Sequence, residues 1–481
     1  MSHTLALFTD LYQLTMAYGY WKSGKEEEEA AFHLFFRENP FHGGFAVAAG
    51  LQSVIEYLDA LRFSAEDLHY LAGLRGSDGQ ALFPAAFIEH LRGLRFTCDV
   101  DAIPEGTVVF PHEPLLRVCG PIAQAQIIES ALLNFTNFQT LIATKAARLV
   151  LAAKGDPVVD FGLRRAQGID GALSATRAAF IGGVGSTSNV LAGARFGIPV
   201  KGTHAHSWVM SFPTELEAFE KYAEVMPNNA TLLVDTYNTL EGVAHAIEVG
   251  RKLRERGHDL AGIRLDSGDL AYLSIEARRM LDEAGFPNAL IAASNELDEQ
   301  VITSLKDQGA AINLWGVGTR LITAYDQPAL GGVYKLSAVR SPGAEWKPKV
   351  KLSEQAIKVS TPGVLNVRRF VKNGEAIGDM IWDQGDDVTN EIVDPLDLTR
   401  RKQFGSDVTA TDLLVPVYRG GNRVYESPAL PEIRARAVEQ MAMFHAGIKR
   451  FINPHRYPVG LEHQLFDRKT RLVLEARGHQ S

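Results

Sequence analysis

The chain has 481 residues, 46% apolar and 22% charged, which suits a globular protein of two or three packed units and excludes disorder as its main state. Its 49 basic and 57 acidic residues give a formal charge of −8, which argues against coating nucleic acid or binding a membrane through a polybasic surface, yet leaves room for a local cationic site. Two cysteines, Cys98 and Cys119, are too few for a disulfide framework or a multi-cysteine zinc site, so a reducing compartment is expected.

The start, MSHTLALFTDLYQLTMAYGYW, lacks a basic region followed by a long apolar core, and no apolar run approaches the ~20 residues that span a bilayer. A cytoplasmic protein is expected, with no membrane and no nucleic-acid partner. Thr9 and Asp10 open a helix that Gly24 stops, with Leu11, Leu14 and Tyr18 on its core face and Tyr12 off that stripe. Glu26–Glu29 reads as a solvated run, and AAFHLFFREN as a strand leading into the loop NPFHGGF. VDAIPEGTVVFPHEPLLRV has the punctuation of short strands.

Further along, apolar runs recur at 157–162, 178–183, 199–207, 230–237, 262–269, 289–297 and 312–319, each followed by a helical stretch. That spacing predicts βα units, and seven of them point to a parallel barrel more than to an open sheet. The polar residues of such a fold gather at the strand C-termini, here Asp160, His204, His206, Asp235, Asp266, Asp269, Asn295 and 316–319. After about 340 come a basic segment, EWKPKVKLSEQAIKVSTPG, the strand GVLNVRRFV, the acidic loop DQGDDVTNE, and one amphipathic helix from Pro431 to near Asn453. The predicted domains are 1–130, an N-terminal α/β domain; 131–340, the catalytic barrel; and 341–481, a C-terminal segment packing on the first.

Four motifs carry chemistry. GVGTR (316–320) is a Gly-rich strand end whose backbone N–H groups suit a phosphate, although a simple tight turn also explains its glycines. RLDSGD (264–269) contains a helix cap in Ser267 or Asp269, but capping leaves Arg264 and Asp266 unexplained. Asp266 suits ribose hydroxyls, and Arg264 a carboxylate or an aromatic ring. KGTHAHSWVMSF (201–212) has histidines at i and i+2; no third ligand supports a metal pair, and a histidine nucleophile held by a carboxylate such as Asp235 is the alternative, with His204 structural. DFGLRRAQG (160–168) sets Phe161 beside Arg164 and Arg165, a ring-stacking residue next to an anion clamp, or simply a core phenylalanine. Together these suit an enzyme acting on a sugar phosphate.

These motifs, with TDLYQLTMAYGYW, FRENPFHGGFAVAAGL, NFQTLIATKAARL, GSTSNVLAG, LVDTYNT and NPHRYPVG, resemble those of the nicotinate phosphoribosyltransferase family over nearly the whole chain and in the family's order. The resemblance implies a type II phosphoribosyltransferase fold: an irregular seven-stranded α/β barrel beside an α/β or β-sandwich-like domain built from the N- and C-terminal segments, in an obligate homodimer. It implies that nicotinate and 5-phosphoribosyl 1-pyrophosphate give nicotinate mononucleotide and pyrophosphate, the first step of NAD synthesis from nicotinate. ATP is hydrolysed alongside through a phosphohistidine, with Mg²⁺. Carried over, His206 is the phosphorylated residue and Asp235 orients it. Phe161 and the partner subunit's Tyr12 sandwich the pyridine. Arg264 meets the nicotinate side, and Asp266 the ribose. Gly316, Gly318 and Thr319 hold the 5′-phosphate, with Arg164 an anion ligand, and Arg37, Lys347 and Lys349 are candidates for the pyrophosphate. Many relatives lack a histidine where His204 stands, so the resemblance assigns it no role.

Nicotinamide phosphoribosyltransferase is the nearby alternative. A carboxylate near the pyridine would favour a carboxamide, and GSTSN (185–189) offers hydroxyls and an amide but no acid. Quinolinate phosphoribosyltransferases share the fold class but lack the phosphohistidine motif. A non-catalytic nucleotide-binding homologue would have no need of His206, Asp235, Arg264 and Asp266 together.

Overall fold

A computed structural model describes residues 5–478. The chain divides into two compact units, one of Met1–Leu141 with Ala329–Ser481 and a central one of Ile142–Pro328.

The first unit is built from both ends of the chain. Its seven-stranded antiparallel sheet runs in the order Lys347–Pro348, Val333–Arg340, Glu29–Phe35, Leu116–Pro121, Asp99–Ala102, Val415–Arg419, Asn422–Arg423. Glu29–Phe35 is buried at nearly every position, as befits a strand covered on both faces. Its buried polar member, His33, is satisfied: Nδ1 faces the Ser337 hydroxyl at 2.8 Å and Nε2 accepts the Leu365 N–H at 3.0 Å. Burial, with Arg117 adding, lowers its pKa to about 3. A second, mixed sheet of six strands contains Leu365–Lys372 and Glu375–Asp383. Across that hairpin the fully buried Arg369 pairs with Asp379, which also accepts the Tyr457 hydroxyl.

Three local expectations change here. The first helix is Leu11–Lys22, ending before Gly24 (φ 68°), but Leu11 is 51% exposed and the buried side is Gln13, Leu14 and Ala17. Gln13 is drawn in because its Oε1 accepts the Asp10 N–H at 3.0 Å at the helix start. The late amphipathic helix stops at Ala442, since a turn closes at His445, whose Nδ1 accepts the Gly447 N–H at 3.0 Å. A further helix, His463–Ala476, starts at Glu462, whose carboxylate accepts the Gln464 and Leu465 N–H groups.

The central unit holds the parallel strands β1 (Val158–Asp160), β2 (Ser186–Thr187), β3 (Thr231–Leu233), β4 (Gly262–Leu265), β5 (Leu290–Ala293) and β6 (Leu314–Val317). They pair in the order β2-β1-β6-β5-β4-β3, and a parallel bridge from Thr187 to Val200 adds a seventh position beside β2. The α/β class and the seven positions agree with the sequence. The run at 178–183 does not form a strand: it ends the helix Gly168–Ile181, and the strand follows at β2. Short apolar runs do not separate a buried helix end from a buried strand. Residues 199–207 contribute the single bridge and then open a short helix at His206.

Polar residues after the strands begin the crossover helices. Asn189, Thr214, Asn238, Asp269 and Asp298 each accept a backbone N–H from the first turn of the helix they cap. Some strand-end polarity therefore serves the helices, Asp269 included. Fully buried Lys145 lies 2.7 Å from Glu299 and 2.8 Å from Asp326, and Arg148 shares Glu299 at 2.7 Å, joining the segments after β5 and β6. Among the described residues no helix is long and apolar enough to cross a membrane.

Candidate active site

Residues after β1, β4 and β5, with Thr203, meet at Arg264. Its place near the end of β4 leaves its guanidinium 14% exposed, with Nε donating to Ser294 Oγ at 2.7 Å, Nη1 to Thr203 Oγ1 at 3.1 Å and Nη2 to Asp266 Oδ1 at 2.9 Å. The same cation stands 5.4 Å from the Phe161 ring centre. Three of the five guanidinium N–H groups are thus committed, which leaves donors for a carboxylate in a fixed orientation.

Asp266 follows β4. Burial alone would raise its pKa, but the Ser294 hydroxyl, which donates to Oδ1, the Arg264 guanidinium and the nearby His206 together hold it below the ordinary range. His206 Nε2 is 3.8 Å from Asp266 Oδ2, and its Nδ1 is 3.1 Å from Thr236 Oγ1. Asp235, expected to orient His206, instead supports the loop after β4: its Oδ2 accepts the Asp266 N–H at 2.8 Å and the Ser267 hydroxyl at 2.7 Å. Thr236 and Asp266 are the groups beside the imidazole. Asp235 stands behind Asp266, bonded to the 266–267 loop. Its Oδ1 is buried without a partner.

Asp160 is also turned inward. Oδ1 accepts the Gly162 N–H at 2.8 Å and Oδ2 the hydroxyls of Thr176 and Thr187 at 2.8 and 2.9 Å; burial raises its pKa against these bonds. These bonds pin the backbone on either side of Phe161, whose own N–H donates to Val317 O at 2.8 Å. The Phe161 ring lies over Gly316, where a Cβ would come within 2.5 Å of two ring atoms. Gly316 therefore makes room for the ring rather than only for a phosphate. Gly318 and Thr319 follow at the end of β6, with Thr319 opening a single helical turn. Asn295, after β5, has φ 113°, a conformation rare outside glycine and common at functional sites. Arg164 and Arg165 are exposed on the turn after Phe161.

His206, Asp235, Asp266, Arg264, Phe161, Gly316, Gly318, Thr319 and Arg164 all belong to the central unit. The first six form one chain of contacts, which does not include Arg164 and Thr319. Tyr12, Arg37, Lys347 and Lys349 belong to the other unit. There Tyr12 is 49% exposed, Lys347 and Lys349 are exposed on an edge strand and just beyond it, and Arg37 keeps a buried Nε without a partner. Sequence reasoning missed Lys335. Its ammonium pKa is lowered by burial, partly restored by Glu129, and pushed further down by Arg37 and Lys351. It also missed Thr203 and Thr236, inside the recognised motifs, and Ser294, in the run at 289–297, whose roles show only through contacts between segments.

Beside the 163–173 and 188–191 segments lies a groove of about 460 Å³ lined by Leu163, Ile169, Ala172, Leu173, Val190 and Leu191. Ile169 is 73% exposed and Val190 69%, a large apolar surface for a folded unit.

Models of the nicotinate phosphoribosyltransferase N-terminal domain, of the nicotinate phosphoribosyltransferase family and of its C-terminal domain match residues 7–137, 157–360 and 366–469 in turn. The chain is 44% identical to a nicotinate phosphoribosyltransferase of Bacillus subtilis, covering 98% of this chain and 96% of that one. It is 41% identical to one of Mycobacterium tuberculosis, over 98% and 94%. The crystal structure of human nicotinic acid phosphoribosyltransferase superposes with a TM-score of 0.83 at 32% identity, over 96% and 99% of the two chains.

Proposed function

We propose that this chain, which belongs to the nicotinate phosphoribosyltransferase family, makes nicotinate mononucleotide and pyrophosphate from nicotinate and 5-phosphoribosyl 1-pyrophosphate, coupled to ATP hydrolysis through a phosphate on His206. The observation that carries the choice of nicotinate is Arg264, an oriented cation on the Phe161 ring with donors to spare. The acid nearest that ring in sequence, Asp160, is buried and turned to Gly162, Thr176 and Thr187, away from a carboxamide on the ring. A carboxylate substrate is favoured and an amide is not.

In this reading the pyridine lies on Phe161 with its carboxylate at Arg264. Its ring nitrogen forms a bond to the anomeric carbon while the bond to the pyrophosphate oxygen breaks, and the pyrophosphate leaves as an anion. Positive charge grows on the ribose in between, and the carboxylate of Asp266 stabilises it. The 5′-phosphate suits the backbone of 316–319. For the pyrophosphate, Arg37, Lys347 and Lys349 are the cations the family resemblance offers.

Mg²⁺ fits the oxygen donors present. The buried, unpartnered Oδ1 of Asp235 and the carboxylate of Asp266 would hold it, as Mg²⁺ takes one or two carboxylates along with substrate phosphates. When bound it neutralises the departing pyrophosphate. For the ATP step, the Asp266 carboxylate on the Nε2 side of His206 favours the tautomer with its proton there, which leaves the Nδ1 lone pair. A bond from Nδ1 to the γ-phosphorus forms as the bond to ADP breaks, and water later cleaves the N–P bond.

A homodimer with Tyr12 crossing to the partner's site accords with the exposed ring of Tyr12 and the apolar groove at Ile169 and Val190. The free thiols of Cys98 and Cys119 suit the cytoplasm. The test is pyrophosphate release with nicotinate, nicotinamide or quinolinate, with and without ATP. Nicotinate should be used far faster and be stimulated by ATP; equal rates with nicotinamide would overturn the reading.

A further inference from the structure

The parallel order in the central unit ends on β3 at one side and on residues 199–203 at the other. On β3, the Ala230 carbonyl and the Val234 N–H bond to β4, so the Leu233 N–H points to the open side. Leu233 is only 1% exposed, so this N–H needs a partner. Among the described residues no backbone ladder from 199–203 reaches β3. The partner is a side chain: Leu233 N–H donates to His204 Nε2 at 3.2 Å. Two residues further on, His206 Nδ1 meets Thr236 at 3.1 Å, so the segments 203–206 and 233–236 run side by side with imidazoles as rungs. One residue back, Thr203 accepts from Arg264 on β4 at 3.1 Å. The His204 ring is fixed by edge-on contact with Tyr222 (4.7 Å between centres) and by Phe219.

We infer that His204 is a positioning residue whose imidazole replaces the missing backbone rung between 199–203 and β3, and so sets where His206 stands against Thr236 and Asp266. The role requires a neutral ring, with its proton on Nδ1 toward the Ala205 carbonyl at 3.4 Å. Burial lowers the His204 pKa to about 4; the Ala205 carbonyl opposes this, while the neighbouring cation Arg264 and His206 add to it. The joint itself is independent of the reaction; its catalytic consequence rests on the phosphohistidine reading above.

The test compares wild type with His204→Gln, His204→Leu and His204→Asn. Gln places an amide oxygen near the position of Nε2, Leu keeps volume without an acceptor, and Asn is too short to reach Leu233. Amide hydrogen exchange in the 229–236 segment reads the joint. Protection at Leu233 should fall at least ~10-fold in the Leu and Asn variants and stay within ~3-fold in the Gln variant. The kcat for ATP-stimulated transfer should follow the same order, falling ~10-fold or more with Leu and Asn and recovering with Gln. KM for nicotinate should stay within ~2-fold, because Arg264 keeps Ser294 and Asp266. Unchanged protection in the Leu and Asn variants, or a Gln variant as slow as the Leu one, overturns the inference. If the Leu variant does not fold, the Asn and Gln pair decides. A wild-type protein without ATP-stimulated transfer refutes the proposed function, and the exchange measurement still judges the joint.

Discussion

Gly316→Ala tests whether the Phe161 ring is the platform for the pyridine. The added Cβ would lie 2.5 Å from Cδ2 and Cε2 of that ring, against roughly 3.5 Å for carbon atoms at rest, so the ring must move about 1 Å. The backbone of Phe161 cannot retreat, because its N–H is bonded to Val317 O and Gly162 is held by Asp160. The motion must come from rotating the ring away from β6, which also disturbs its contact with Arg264. Overpacking of this kind costs about 1–3 kcal/mol, and a misplacement of about 1 Å in a site lowers rates by up to ~100-fold. In a pyrophosphate-release assay, kcat/KM for nicotinate should fall ~10- to 100-fold, with KM for nicotinate raised and KM for the phosphoribosyl donor little changed. Gly318→Ala is the contrast: its Cβ would meet nothing closer than Phe161 O at 3.4 Å, so nicotinate binding should be spared while the donor's phosphate is affected. A folded Gly316→Ala enzyme with kcat/KM for nicotinate within twofold of wild type would refute the placement of the pyridine on Phe161.

ATP should place an acid-labile phosphate on His206, seen by mass spectrometry under non-acidic conditions. His206→Ala should lose the label and the ATP stimulation while keeping weak transfer, and label on His204 in the wild type would overturn this. If Tyr12 completes the partner's site, inactive Tyr12→Ala and His206→Ala chains should regain activity after subunit exchange; verified heterodimers with none would argue for a site within one chain. Stability should depend on pH through the buried imidazoles. His204 and His112 titrate near 4, both chiefly through burial, so between the ordinary 6.5 and about 4 the unfolded chain binds protons that the folded one refuses, and stability falls as pH falls through that window. For His204 the drop corresponds to about 3 kcal/mol at roughly 1.4 kcal/mol per pH unit. Urea unfolding at pH 7 and 4.5 should therefore show a smaller difference for His204→Gln than for wild type; equal differences would contradict the burial of that ring.

Much of this protein is legible in its sequence because the relevant signals are local. The βα spacing, the glycine after the first helix and the residues of RLDSGD and DFG depend on stretches of a few residues, and those stretches already identify the α/β class and most of the candidate site. The apolar run at 178–183 misled because burial makes a helix end and a strand look alike. What the sequence did not carry is pairing across strands. It placed Asp235 beside His206, whereas Asp235 accepts from the Asp266 N–H and the Ser267 hydroxyl, and Thr236 and Asp266 stand at the imidazole. It read Gly316 as a phosphate turn and missed that the Phe161 ring lies against it. It read His204 as structural without its partner, since only the direction of the Leu233 N–H at a strand edge creates a need for an acceptor there. Residue types and their spacing decide which chemistry is available; which donor meets which acceptor depends on chain segments tens of residues apart, and is decided only when the strands assemble.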